Sequence, residues 1–321
     1  MGKYSICLDI GGTKVLGAIF NENREIVFRL KKKTKAREGS KNVEDTIVSV
    51  VNELLIGYGI SLDEVIAIAA GAPGVINQDT GVVLFAPNLP WNNYEIKKVL
   101  EARFGKPFFI GNDVNVGVYG EWKYGAARGR TQVVGLFIGT GMGGGLILDG
   151  NLYTGNDCKG AEFGHMILNL EGPICSCGQR GCLEAFSSKL GMTDYIRQQV
   201  ARGRKTMMET AISDGVFKSK AMKAAYDAGD EVMIEAIDRA CLYLAVASGN
   251  LVNTFSPQMV VYGGGVMEAL GDVFLEKIVS SVDAYCLPSI RSTVQFVKAE
   301  LNDDSILYGA LALIQNNEKK V

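Results

Sequence analysis

Apolar and polar residues alternate at the start of the chain in the two-residue period of an extended strand. Ile6, Leu8 and Ile10 share one face, Gly11 and Gly12 break the run, and residues 15–20 carry it back, so the segment predicts a hairpin. A third strand is expected over residues 26–30, after a polar turn at 21–25. The period then changes. Ile47, Val50, Val51, Leu54, Leu55 and Tyr58 recur at three- and four-residue steps, the spacing of one buried helix face. Residues 65–70 form a continuous apolar run, as in a strand covered on both sides. Asn92 and Glu95 have the spacing of a capping box and predict a helix that stops at Gly105, before Pro107. Residues 108–110 read as another short strand, and the alternation of strand and helix predicts an α/β domain.

From residue 132 the plan restarts. Residues 133–138 predict a strand, a glycine-rich turn follows, and 145–148 return. Residues 4–20 and 132–148 thus share one order of strand, glycine turn and strand, which predicts an internal duplication. Two similar halves are expected to face each other across a cleft, each contributing a hairpin that faces phosphate. Residues 230–255 predict a long helix ending before Pro257, followed by a strand at 259–262, a glycine triplet at 263–265 and a terminal helix after Asn302.

The 321 residues exceed the roughly 250–300 at which one core stops growing, so two domains are expected, with a boundary near residue 115. Apolar residues are 47% and charged residues 21%, enough to bury a sizeable core. No apolar run approaches the ~20 residues of a membrane span. The first residues lead straight into a strand without a signal-peptide pattern. A formal charge of −2 gives no general attraction to nucleic acid or anionic membrane. Seven cysteines, an odd number without a secretory signal, argue against a disulfide framework. These features predict a cytoplasmic enzyme.

Three glycine turns offer chemistry: Asp9-Ile10-Gly11-Gly12-Thr13-Lys14, Gly139-Thr140-Gly141-Met142-Gly143-Gly144 and Gly263-Gly264-Gly265. Glycine permits positive φ and close backbone approach, so successive N–H groups can line an anion-binding concavity. Thr13 and Thr140 add hydroxyl donors, and Asp9 offers the oxygen ligand that Mg²⁺ prefers. One such turn reads more readily as a simple hairpin; three, two of them in duplicated positions, favour a nucleotide site. The G-x-G-x-x-G spacing of Gly139, Gly141 and Gly144 would suit a dinucleotide fold only if it opened a helix, and a strand follows instead. The G-x-x-x-x-G-K-[ST] pattern is absent.

The single histidine, His165, precedes Cys175, Cys177 and Cys182, with Gly178 and Gly181 between the thiols. One imidazole and three thiolates make a closed tetrahedral zinc set, structural rather than catalytic. By spacing alone, three free thiols beside an unrelated histidine fit as well. Cys7, Cys158, Cys241 and Cys286 lack ligand spacing and read as small apolar residues. Lys31, Lys32, Lys33 and Lys35 are too short a run for a nucleic-acid patch and read as a solvated strand end.

Taken together in order, these segments resemble the repressor, open-reading-frame and kinase (ROK) family, with its bacterial glucokinases as the nearest likeness. The resemblance spans nearly the whole chain. It rests on Asp9 to Thr13, Gly71-Ala72-Pro73-Gly74, Asn88-Leu89-Pro90-Trp91, Asn112-Asp113-Val114-Asn115, Gly139-Thr140-Gly141, Glu162-Phe163-Gly164-His165 and the cysteine cluster through Glu184. It implies two actin-like, ribonuclease H-like α/β domains flanking a cleft, as in the sugar kinase, heat-shock-70 and actin superfamily. The terminal helix, 303–321, would pack back on the first domain (1–115), and the second (116–302) would carry the zinc loop.

The same resemblance implies ATP-dependent phosphorylation of a hexose at its 6-hydroxyl, with glucose foremost. Asp113 would be the general base, and Gly71, Asn88, Asn112, Glu162, His165 and Glu184 would join it around the sugar. Asp9, Gly11, Gly12, Thr13, Lys14, Gly139, Thr140, Gly141 and Gly263 to Gly265 would hold ATP and Mg²⁺. His165, Cys175, Cys177 and Cys182 would hold a structural Zn²⁺, and a homodimer or homotetramer is implied. Without the resemblance, Asn112-Asp113 reads as a turn or helix cap. Two positions depart from the family pattern: Ala161 stands where glucokinases more often have glycine, and Gly111 where an acidic residue is common. These departures bear on which hexose is preferred, with N-acetylmannosamine, N-acetylglucosamine, allose and fructose as other family substrates. The family's sugar-responsive repressors would need an N-terminal helix-turn-helix, for which the strand at Asp9 leaves no room.

Overall fold

The computed structural model describes residues 3–34, 36–213 and 215–318. The tip of the expected terminal helix, residues 319–321, lies outside the described residues, as does Lys35. The chain divides into two compact units, Met1–Arg128 with Thr154–Gly160 and Asp304–Val321, and Gly129–Tyr153 with Ala161–Asp303.

The first unit opens with β1 (Tyr4–Ile10), β2 (Lys14–Phe20) and β3 (Ile26–Lys33), then α1 (Ser40–Tyr58) and β4 (Val65–Ala72). Three short strands follow, β5 (Val75–Asn77), β6 (Val82–Phe85) and β7 (Asn92–Tyr94), and then α2 (Ile96–Phe104), β8 (Phe108–Asn112) and α3 (Asp113–Tyr124). The main sheet runs β3-β2-β1-β4-β8; β2 is antiparallel to β1 and β3, whereas β4 and β8 run parallel to β1 and to each other. The helical face read from residues 47–58 is buried on this sheet. A Cβ on Gly17 of β2 would fall 2.7 Å from Val50 and 2.8 Å from Leu54, so α1 lies flush on the strand only because glycine is there. Lys32, at the end of β3, pairs with Glu53 and Ser49 of α1, as a solvated strand end should.

The expected capping box at Asn92 is overturned. Asn92 lies in β7, which pairs with β6, and α2 starts only at Ile96 after an N-cap Glu95 that makes no side-chain cap bond. Burial outweighs the local signal here. Tyr94 stacks flat on the buried Trp91 at 5.6 Å and donates its hydroxyl to Glu44, which draws the segment into strand geometry. The stop at Gly105 stands, with φ 64.

The second unit comprises β9 (Val133–Ile138), β10 (Met142–Leu148), β11 (Asn151–Tyr153), α4 (Glu184–Ser187), α5 (Lys189–Ala201), α6 (Glu209–Ser213) and α7 (Ser219–Asp227). It continues with α8 (Glu231–Phe255), β12 (Met259–Gly263), α9 (Gly265–Val282), α10 (Pro288–Arg291) and β13 (Gln295–Lys298). Its sheet runs β11-β10-β9-β12-β13, with β10 antiparallel to its neighbours and β12 and β13 parallel to β9. Both sheets therefore have one order and one set of directions, as duplication predicts. Helices α8 and α9 pack together beside this sheet. The one polar atom that buried Tyr262 brings inside is satisfied, its hydroxyl lying 2.6 Å from Ser248 Oγ.

Helix α11 (Ser305–Glu318) then rejoins the first unit, packing along α3 and across β1 and β4. The approach is closer than side chains permit. A Cβ on Gly309 would sit 1.8 Å from the Val116 carbonyl oxygen, and one on Gly120 2.2 Å from that of Ser305. Buried Glu121 of α3 accepts from Ser305 Oγ at 2.9 Å and from the Ala126 N–H at 3.0 Å. This pairing carries the first unit to Arg128, past the boundary expected near residue 115. No helix among the described residues is long and apolar enough to cross a membrane.

Candidate active site

In the first unit, the predicted residues gather where β1, β4 and β8 end. Asp9 pairs in register with Gly71, and Gly71 with Gly111, so three parallel strands bring their C-terminal ends level. Open α/β sheets form their sites at that edge. Asn112 closes β8 and caps α3: its Oδ1 accepts from the N–H groups of Val114 and Asn115 at 3.0 and 3.1 Å, and its Nδ2 donates to the Gly74 carbonyl at 3.1 Å. Asp113 is thereby fixed as the first residue of a helix, where the dipole favours negative charge, and its Oδ1 accepts from the Val114 N–H. Gly71 offers only backbone. A Cβ there would lie 2.5 Å from Ile306 of α11 and 3.3 Å from Asp113 Cα. At Gly111, the space for a side chain is taken by Gln78, 2.8 Å from where a Cβ would be.

The turn between β1 and β2 is closed by the Gly11 N–H donating to the Lys14 carbonyl, with Thr34 holding Gly11 and Thr13 from the side. Its glycines do not use positive φ. Gly12 is required because a Cβ would fall 2.5 Å from the Asn88 carbonyl oxygen, which brings the exposed Asn88 against this turn. Thr13 is exposed and Lys14 half-buried beside it.

In the second unit the equivalent turn, Gly139-Thr140-Gly141, joins β9 to β10. The start of α5 holds it, the Lys189 and Leu190 N–H groups donating to the Gly139 and Thr140 carbonyls at 3.1 Å. Glu184 anchors the other side, accepting at Oε2 from the Met142 N–H at 2.8 Å. A Cβ on Gly141 would meet that carboxylate at 2.6 Å. Gly143 and Gly144 belong to β10 rather than to the turn; Gly144 clears the way for Phe163, 2.4 Å from a notional Cβ. The segment carrying Glu162 and His165 is therefore pressed onto β10. Glu162 is exposed, yet desolvation by the surrounding protein raises its carboxyl above the usual carboxylate range; His165 opposes the shift and Glu184 adds to it.

The third glycine run differs from the first two. Gly263 ends β12, Gly264 adopts φ 87 as N-cap, and Gly265 opens the 18-residue α9. A Cβ on Gly264 would lie 2.6 Å from the Ile138 carbonyl oxygen, so this helix start rests on the end of β9. Met267, Glu268, Lys298 and Ala299 line a small cavity of about 290 Å³ with it. It can supply N–H groups and a helix dipole to an anion.

His165, Cys175, Cys177 and Cys182 come together, with all their ligand atoms within 4.8 Å of one another. Left-handed Gly178 and Gly181 (φ 88 and 79) fold the knuckle, and the Cys175 N–H donates to the Gln179 carbonyl at 2.7 Å. A tetrahedral zinc with bonds of about 2.3 Å to sulfur and about 2.0 Å to nitrogen implies neighbouring ligands roughly 3.5–3.8 Å apart. The observed Cys175 Sγ to His165 Nδ1 and Cys177 Sγ to Cys182 Sγ distances are 3.7 and 3.8 Å. The residues fit zinc. Burial pushes the Cys175 thiol up to about 12, so metal binding there must displace its proton.

Sequence reasoning missed what joins these parts. Glu184 Oε1 accepts from Ser176 Oγ at 2.9 Å and, while Cys175 is a free thiol, from its Sγ at 3.4 Å, and Oε2 holds the β10 turn. One carboxylate thus ties the glycine turn to the knuckle. Its place beside the cysteines was visible in the sequence, but its hold on Met142 was not, since a backbone donor has no sequence signature. Asn115, part of the quoted motif but given no role, is buried with its Oδ1 lacking a partner.

Comparison with known proteins adds to this geometry. Residues 5–317 match the model of the ROK family. A glucokinase from Thermotoga maritima is 33% identical over 312 residues, covering 97% of this chain and 96% of its own. A xylose repressor from Caldicellulosiruptor bescii is 27% identical, over 96% of this chain but 77% of the repressor. The crystal structure of a ROK family glucokinase from Streptomyces griseus, in complex with glucose and AMPPNP, matches with a TM-score of 0.82 at 28% identity, covering 98% of this chain and 99% of that one. The pair of mixed sheets described above is that of the actin-like fold.

Proposed function

Because this chain belongs to the ROK family, we propose that it is an ATP-dependent hexose kinase that phosphorylates the 6-hydroxyl of its sugar, glucose foremost. The observation that carries the reading is the Asn112-Asp113 junction, a carboxylate set at a helix start on the strand edge it shares with Asp9 and Gly71. Full-length identity to a glucokinase supports the choice of sugar.

Phosphoryl transfer to an alcohol requires that the hydroxyl lose its proton and that attacking and leaving oxygens be held in line. In this reading Asp113 accepts the proton of the 6-hydroxyl. The three hydrogen bonds of Asn112 keep the backbone of Asp113 from shifting as charge moves. Asn88, Glu162, His165 and Glu184 bind the remaining hydroxyls, and Gly71 contributes backbone. The turns at Gly11 to Lys14 and Gly139 to Gly141, with the α9 start at Gly263 to Gly265, receive the phosphates and nucleotide. Asp9 is the residue to hold Mg²⁺, which when bound offsets the charge on the phosphate oxygens. His165, Cys175, Cys177 and Cys182 would hold zinc, which supplies a closed structural node; the residues around it keep Glu184 and the His165 ring oriented. The enzyme is proposed to act in the cytoplasm as a homodimer or homotetramer, which light scattering would distinguish.

A coupled assay for ADP over glucose, N-acetylmannosamine, N-acetylglucosamine, allose and fructose tests the proposal. ADP release fastest with glucose is expected. Sugar binding without ADP release from any of them would instead favour a sugar-sensing protein, as the repressor relative suggests.

A further inference from the structure

Behind the cysteine knuckle, wholly inside the second unit, is a polar cavity of about 500 Å³. The loop that carries Glu171 and Ser176 forms one wall, α5 with Asp194 and Gln198 the other, and Arg239 of α8 lines it between them. Its size falls within the range of about 300–1,000 Å³ typical of small-molecule sites.

Arg239 is caged by aromatic rings. Its guanidinium lies 4.7 Å from the ring centre of Phe186, 5.0 Å from Tyr195 and 5.8 Å from Tyr243. The rings are themselves fixed: Phe186 and Tyr243 stack at 3.6 Å, and the Tyr195 hydroxyl donates to Glu235, which Arg204 holds. Among the described residues no carboxylate or carbonyl accepts a hydrogen bond from this guanidinium. Neighbouring arginines of this unit differ. Arg180, in the same cavity, donates to the Gly172 carbonyl at 2.9 Å, and Arg197, Arg204 and Arg291 are each paired with acids. A guanidinium carries five donors in a rigid fork, and here that fork has only cavity water to satisfy it, so an acceptor group on a ligand can take it without breaking a protein contact. Burial lowers its pKa, the direction expected of a cation without a counter-charge.

We propose that this cavity binds a small sugar phosphate, its phosphate on Arg239 and its hydroxyls on Glu171, Asp194 and Gln198. Planar, bidentate donors suit a phosphomonoester. Three acidic side chains line the cavity, Glu171, Glu184 and Asp194, against two arginines, Arg180 and Arg239; the acids would repel a bare polyphosphate but accept hydrogen bonds from hydroxyls, which selects a singly phosphorylated polyol. Ser176 lines the cavity and donates to Glu184, so occupancy reaches the carboxylate that also holds the β10 turn. Bound sugar phosphate therefore alters sugar affinity. The site rests on Arg239; its identification with a sugar phosphate that this protein would itself make rests on the kinase reading above.

Calorimetric titration of glucose 6-phosphate into the full chain, kept saturated with glucose, tests the proposal without requiring turnover. The expected result is saturable binding that is at least about tenfold weaker in Arg239→Met, in Gln198→Glu and with inorganic phosphate as probe. Gln198 is exposed on α5, so its variant reads the pocket even if Arg239→Met melts early. Equal binding by both variants, no binding up to about 10 mM, or inorganic phosphate binding as tightly would overturn the proposal. Failure of the ADP assay with binding intact would overturn the kinase reading and leave the pocket standing.

Discussion

A left-handed backbone at a residue with a Cβ costs about 1–2 kcal/mol, and Ala161 adopts φ 63 directly before Glu162. The departure from glycine at this position is therefore a strained one, held because the segment is pressed onto Gly144. Ala161→Gly should raise stability by about 0.5–1 kcal/mol in denaturant unfolding, the relief of strain exceeding the entropy that glycine adds to the unfolded chain. Asp113 is the other single residue on which much depends. Asp113→Asn should lower turnover by about 10²–10⁴ in the ADP assay while sugar binding measured by calorimetry persists. At this scale the sequence was legible by resemblance more than by physics, because Asn112-Asp113 is equally a helix cap, and the structure shows that it is one. The glycine turns were legible as close approaches. Their expected positive φ holds only at Gly264, since the contacts at Gly12 and Gly141 are set by what presses on them from elsewhere in the chain.

Elements depend on their ends. Asp230 caps the 25-residue α8, its Oδ1 accepting from the Met233 N–H and its Oδ2 from the Met207 N–H and Thr206 hydroxyl. Burial pushes its pKa up, but these donors outweigh burial and hold the carboxyl below its usual range. A depressed folded value means stability that is present above the unfolded value of about 3.9 and lost as pH falls through the folded one. Asp230→Ala should cost about 1–2 kcal/mol at neutral pH, and the gap from the parent should narrow as unfolding is followed below pH 4. The knuckle is the other element with its own condition. Metal analysis of protein purified without added zinc should find about one zinc per chain, lost in Cys182→Ser together with most sugar affinity. Long periodic elements such as α1 and α8 were readable because one face is apolar at a constant step. The sheet of β5, β6 and β7 was not, for strands of three or four residues carry no period and owe their form to Trp91 and Tyr94.

Across the molecule, the duplicated sheets were foreseeable from two copies of one strand–turn–strand plan. The manner of α11's return was not, because the fit of Gly309 and Gly120 against facing carbonyls is a property of two helices far apart in sequence. Gly309→Val should force α11 off α3 and lower the stability of the first unit by about 1–3 kcal/mol or more, seen as an earlier phase in denaturant unfolding. About 180 residues separate Tyr124 from Ser305. On a ribosome adding about 5–20 residues per second, α3 therefore waits roughly 10–40 s for its partner helix. Through that interval the face of α3 around Val116 and Gly120 is bare, so the nascent chain offers chaperones a binding surface that the finished protein conceals.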